Sequence, residues 1–277
     1  MIASIRTASQ GRWAITISSV VLLTFFLISI LAPWIAPHDP VHVNLAVKLA
    51  PPSWEYPLGT DHFGRCTLSR LLYGARVSLG FAFLIFAASL GIGLLIGTLA
   101  GYIGGWIDLL LMRFCDGVMA FPNLVLVLGI VGLLGPGLWQ VVVALMMVQW
   151  VYYARMIRGM VVSMKEQNFI TAARMSGSST GKIIRRHLIP NVLPPIIVMG
   201  TLEMGWAIMD ISALSFLGLG IQPPTPEWGA MIHEGKAFIR SQPELMIYPG
   251  LFILFVVISF NILGESLSER LGVKRRY

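Results

Sequence analysis

Apolar residues fall in long blocks separated by short polar intervals. Residues 13–36, 77–104, 118–135, 138–154, 188–220 and 245–264 carry few charges, and most of these runs reach the ~17–25 residues that cross a bilayer as a helix. The pattern predicts an all-α polytopic membrane protein with about six transmembrane helices. The first, from Trp13 to Ala36, is ended by Pro33, Pro37 and Pro40. It exceeds the roughly 7–15 residues of a signal-peptide apolar region and is expected to stay as an uncleaved span.

The polar intervals organise the rest. Residues 37–76 form the longest outer interval and contain His38, His42 and His62. The second apolar run holds Gly80, Gly91, Gly93, Gly97, Gly101 and Gly104; small residues at this spacing let helices approach closely where lipid gives no hydrophobic drive. A short inner connection is expected over 105–117, then a hairpin of spans three and four turned at Gly135-Pro136-Gly137. Between Arg155 and His187 lies the most polar inner segment, expected as a helix, a turn at Gly177 and a second helix. Pro190, Pro194 and Pro195 stand near the inner end of span five, and the outer loop 221–244 carries an amphipathic piece around 231–239. No internal repeat and no soluble domain is visible.

Composition supports the membrane assignment. Hydrophobic residues make up 56% of the 277 and charged residues only 12%, against about 25% in soluble domains. The net charge of +7 would suggest a nucleic-acid partner in a soluble chain. Its distribution says otherwise: with an inside N-terminus, 14 Lys and Arg fall on the inner side and 6 on the outer. That bias places both termini in the cytoplasm and accounts for the surplus without nucleic acid. Cys66 and Cys115 fall on opposite sides in this arrangement, so no disulfide joins them, and neither has a CxxC partner.

Candidate chemistry is sparse. Gly177-Ser178-Ser179-Thr180-Gly181-Lys182-Ile183 has three residues between the glycines, not four, and Ile where a phosphate-binding loop needs Ser or Thr. His233-Glu234 would begin a zinc motif, but Ala237 stands where its second histidine is required. His38, Asp39 and His42, and Asp61 with His62, have spacings that suit nickel, yet Pro37 and Pro40 interrupt the first set. No metal site is expected, and Met146, Met147 and Met160 are expected to pack. Glu203 and Asp210 stand out: seven residues apart within span five, they share one helix face. A lone carboxylate in hydrocarbon costs roughly 2.5–3.5 kcal/mol on insertion scales, so both are expected to face the bundle, a water-filled path or a partner subunit. They would serve as an acidic lining for a cationic substrate, or as polar glue between helices.

Thr171-Ala172-Ala173-Arg174-Met175-Ser176-Gly177, nine further residues, then His187-Leu188-Ile189-Pro190 resembles the E-A-A-x-x-x-G-(nine residues)-I-x-L-P signature of permease subunits of binding-protein-dependent ABC importers. Thr171, His187 and Ile189 replace the signature's Glu, Ile and Leu. Two alanines give a small face that a partner's cleft can accept, and Gly177 permits the turn. Leu58 to Arg65 with Ser69 to Leu79, Ser215 to Gly220, and Pro223 to Met231 are similar to stretches of the nickel, dipeptide and oligopeptide permeases; Cys66 stands where these usually have Asp.

The resemblance implies a multi-pass permease in the inner membrane of a prokaryote. Residues 1–76 would be the first span and outer loop, and 77–277 the transport domain with a coupling segment at 165–187. It implies ATPase coupling through Thr171, Ala172, Ala173, Gly177, His187, Leu188 and Pro190, and a translocation path past Glu203 and Asp210. The partners implied are a second permease, two ATPase subunits, an extracytoplasmic binding protein and membrane lipid. ATP and Mg would sit on the ATPases, so this chain is not itself an enzyme and holds no cofactor. The substrate implied is nickel as a chelate, with short peptides close behind. The rival is an ion-coupled secondary transporter using Glu203 and Asp210 as its relay, but the repeated halves usual in such carriers are not visible.

Overall fold

The computed structural model describes residues 2–270, with side chains from residue 13 onward. Arg6, Arg12 and the basic stretch after Arg270, part of the ground for cytoplasmic termini, lie outside the described side chains. The Lys and Arg distribution defines an inner and an outer side of the bundle. The described chain is helical, with one isolated bridge between Thr60 and Cys66. Its α-helices are α1 (Ile2–Ile35), α2 (Thr67–Ile103), α3 (Gly105–Met119), α4 (Asn123–Leu134), α5 (Leu138–Lys165), α6 (Asn168–Met175), α7 (Thr180–Ile183), α8 (Ile189–Phe216), α9 (Trp228–Gly235) and α10 (Glu244–Arg270).

Among the described residues, five stretches are long and apolar enough to cross a membrane: α1 from Trp13, α2, α5, α7 continued into α8, and α10. A sixth exists only if α3 and α4, bent by 87° against each other, count as one. This corrects the simple third span expected at 118–135 and the short connection before it. Pro122 has no N–H to donate to Val118, and its ring pushes Phe121 out of helical backbone. The helix therefore stops at Met119 and restarts at Asn123. The second span also starts earlier than expected, at Thr67 rather than residue 77. Its 37 residues make about 55 Å of helix, more than a hydrocarbon core spans, so its first turns stand on the outer side.

The glycine pattern explains the main seam. Gly93, Gly97 and Gly101 face Tyr153, Ile157 and Val161 in turn, so α2 and α5 run parallel at close approach. A Cβ at Gly97 would meet the Ala154 carbonyl and come within 3.0 Å of Ile157 Cβ. A Cβ at Gly91 would meet nothing within 4 Å. Gly97→Leu is accordingly expected to lower stability by about 1–3 kcal/mol through overpacking, while Gly91→Leu leaves it unchanged. Thermal unfolding of the purified variants checks the pair; equal shifts would mean the seam is not tightly packed.

Aromatic contacts tie α1 to the rest. Phe25 meets Phe252 edge-on at 5.4 Å and Trp228 at 6.1 Å, contacts worth about 0.5–1.5 kcal/mol each beyond area burial. Trp228 is fully buried, and its Nε1 donates to the Leu71 carbonyl at 3.1 Å. The preceding residue, Glu227, caps α9: its carboxylate accepts from the amides of Gly229 (2.9 Å) and Ala230 (2.8 Å) and from Ser78 Oγ (3.1 Å). Its negative charge also suits the positive end of that helix. On the inner side Arg158 grips Asp108 with two hydrogen bonds of 2.6 and 3.0 Å, fixing the start of α3 to α5. Cys66 and Cys115 are free and buried. Cys115 packs against Val151 and Ala154 of α5, deeper in the bundle than an inner connection would place it.

Candidate functional site

Span five was expected to open near Pro190, after a separate second inner helix. Instead α7 runs through a π-helical turn, Ile184–Leu188, directly into α8. The Ile189 amide reaches back to the Ile184 carbonyl, one residue further than in an α-helix. Such a bulge is a recognised local adjustment inside α-helices. Here it immediately precedes Pro190, which lacks an N–H and would crowd the carbonyl four residues back.

The coupling candidates sit on two sides of this segment. Ile170 and Ala173 of α6 are buried, as are Ile183 and Leu188, in a cluster with Tyr153, Ile157 and Val161. Thr171, Ala172, Gly177 and Pro190 are exposed and His187 is half-buried. The alanine pair is therefore divided: Ala172 faces out and Ala173 packs in. Met175, 85% exposed, lies on the free surface beside Ala172. Gly177 has φ +75°, and α6 closes with the Ser178 amide on the Ala173 carbonyl (3.1 Å) and the Gly177 amide on Arg174 (2.9 Å). This paired closure needs the left-handed backbone that glycine adopts most readily. Arg174 reaches over the Tyr102 ring at 5.5 Å, fastening α6 to the inner end of α2.

Glu203 and Asp210 enter a common cleft of about 570 Å³. It opens where α3 and α4 bend apart, so Phe121 and Asn123 line it together with Gln149 and Tyr152 of α5 and Trp206 between the two acids. The opposite face of α8 (Met204, Ala207, Ile208, Ile211) joins the apolar core, which turns the carboxylates towards the cleft. Gln149 Nε2 donates to Asp210 Oδ2 at 3.1 Å. Gln149, Tyr152 and Asn123 were not singled out from sequence; an amide within an otherwise apolar stretch was the available signal for Gln149. Among the described residues, the cleft lining includes no His or Cys.

The outer histidines are distributed differently. His38 stacks on Tyr56 at 4.7 Å, and Asp39 accepts from the Val41 amide at 2.8 Å. His62 instead lies beside Asp61 and Glu234. Burial holds its imidazole below the ordinary value of 6.5 against the raising effect of those two carboxylates.

Residues 93–276 match the family described as binding-protein-dependent transport system inner membrane component. The chain belongs to that family. Residues 13–52 match the N-terminal transmembrane domain of oligopeptide transport permease C. The dipeptide transport system permease protein of Alkalihalophilus pseudofirmus is 41% identical over 93% of this chain and 84% of that protein. The nickel transport system permease protein of Escherichia coli is 38% identical over 95% of each. In fold the chain is similar to a methionine ABC transporter solved in inward-facing conformations, with a TM-score of 0.56 and 20% identity over 73% of this chain and 96% of that one. This permease is thus a multi-pass inner-membrane protein by its family, and its long apolar helices agree with that. Membership in this family does not favour the ion-coupled carrier.

Proposed function

We propose that this permease forms half of the translocation path of an ATP-driven importer and that its cleft receives a substrate bearing ammonium groups, such as a short peptide. The observation that carries this reading is the shared cleft of Glu203 and Asp210. Two turns of helix separate them, about 10 Å of rise, too far for both to ligate one bare ion. The lining offers carboxylates and aromatic rings (Phe121, Tyr152, Trp206), a combination that attracts ammonium, and lacks the imidazole that nickel favours. These features shift the weight from nickel to peptides. A nickel chelate with a cationic periphery is the second reading, favoured by the likeness to the nickel permease.

Energy would come from two ATPase subunits engaging the exposed side of 168–180, with a second permease completing the path and a binding protein delivering substrate from outside. ATP and Mg belong to the ATPases in this scheme, and no residue of this chain performs covalent chemistry. Both termini would be cytoplasmic, which places the coupling segment on the ATPase side. Glu203→Gln combined with Asp210→Asn is expected to reduce labelled-dipeptide uptake roughly tenfold or more at unchanged membrane abundance, the scale of a lost charged contact. Wild-type dipeptide uptake by the double variant would remove the cleft from the path. Loss of nickel uptake alone would install the second reading.

A further inference from the structure

On the outer side four charges meet, three of them buried and Glu234 only slightly exposed. Arg65 (2% exposed) bonds Asp61 Oδ2 through Nε at 2.6 Å and Glu234 Oε2 through Nη2 at 2.8 Å. Arg70 (1% exposed) reaches the same Glu234 oxygen at 2.9 Å. Asp61 Oδ1 accepts from the amides of Phe63 and Arg65. Two polar atoms are left over: Glu234 Oε1 and Thr67 Oγ1 are buried without a hydrogen-bond partner. Thr67 has no exposed surface at all. Both residues line one small cavity with Asp61, His62 and Arg70, of about 10 Å³, room for a single water or ion. Ligand atoms of Asp61, His62 and Glu234 all lie within 4.8 Å of one another.

We propose that this cavity binds one divalent transition-metal ion through the His62 ring, Glu234 Oε1 and Asp61, with the Thr67 hydroxyl as a fourth contact. A nitrogen among few oxygens selects zinc-like ions over calcium or magnesium, which need six or more oxygens or retained waters that the cavity has no room for. The two arginines hold the other oxygen of Glu234, the role that outer-shell partners play for ligating carboxylates. Arg70 Nε stands 3.5 Å from Asp61 Oδ2, too far for a strong hydrogen bond, so that oxygen keeps a lone pair. The guanidinium charges already balance the carboxylates, which makes the site moderate in affinity and a water its natural competitor. An ion there would clamp the loop at 61–62 to α9.

The test uses the assembled transporter, stripped with chelator and equilibrated with Zn²⁺, comparing wild type with His62→Ala and Glu234→Gln. His62 takes part in none of the ion pairs, so its alanine variant is expected to fold, and far-UV dichroism verifies this. Wild type is expected to hold one more Zn²⁺ per permease than His62→Ala, or to bind it roughly tenfold more tightly, with X-ray absorption showing one imidazole ligand. Zn²⁺ should raise the thermal midpoint of wild type only. Equal Zn²⁺ binding by wild type and both variants overturns the site, as does no binding by wild type, which would leave the cavity to water. Dipeptide uptake is not part of the readout, so this result is independent of the cleft's role.

Discussion

Arg70→Met is expected to destabilise the permease by about 3–5 kcal/mol, the cost of stripping one partner from a buried ion cluster. Arg70 begins the outer turns of α2 with almost no exposed surface. Its Nη2 holds Glu234 at 2.9 Å, and its Nη1 points at the carbonyls of Pro40 (3.5 Å) and Pro224 (3.4 Å). It therefore joins the outer loop, the 221–227 stretch and α9 at one point. Methionine fills similar volume but leaves the buried Asp61 and the largely buried Glu234 facing Arg65 alone. The net worth of the cluster relative to apolar packing is smaller, because desolvating four charged groups opposes their attraction. Hence Arg70→Met with Glu234→Gln should recover part of the loss. Denaturant or thermal unfolding of the two singles and the double gives the coupling directly. A loss below about 1 kcal/mol for Arg70→Met, the range of solvent-exposed pairs, would show that the cluster is hydrated rather than buried.

Neither arginine stands out in the sequence, although the stretch containing them is similar to the permease family. The reason is physical. Helical periodicity and hydropathy report local burial, whereas Arg65, Arg70 and Glu234 meet across more than 160 residues of chain. The apolar runs do mark where spans begin near 13, 138 and 245, because long apolar stretches have few other fates, but α5 continues to Lys165, past the run's end at 154. They failed at 118–135, where Pro122 lies inside an apolar block and hydropathy does not register a missing N–H. The seven-residue spacing of Glu203 and Asp210 was legible because both lie on one helix. Gln149, which answers Asp210 from another helix, was not. Likewise the alanine pair was visible at 172–173, but only packing against Tyr153 and Ile157 shows which of the two turns inward.

Gly177→Arg is expected to abolish uptake while membrane abundance stays at the wild-type level. The geometry separates two effects of such a change. Any non-glycine residue at φ +75° costs about 1–2 kcal/mol of backbone strain, but a Cβ there meets nothing within 4 Å. Gly177→Ala therefore isolates the strain and should retain most uptake. Arginine adds a long cation to the exposed turn between α6 and α7, on a surface already carrying Arg174, Lys182, Arg185 and Arg186. If ATPase subunits seat against this turn, the added bulk and charge block seating and uncouple hydrolysis from transport. Measuring substrate-stimulated ATP hydrolysis beside uptake in the assembled transporter tells the cases apart. Full uptake by Gly177→Arg would sink the coupling assignment. Equal failure of both variants would place the requirement in the left-handed backbone itself, since alanine brings strain without bulk.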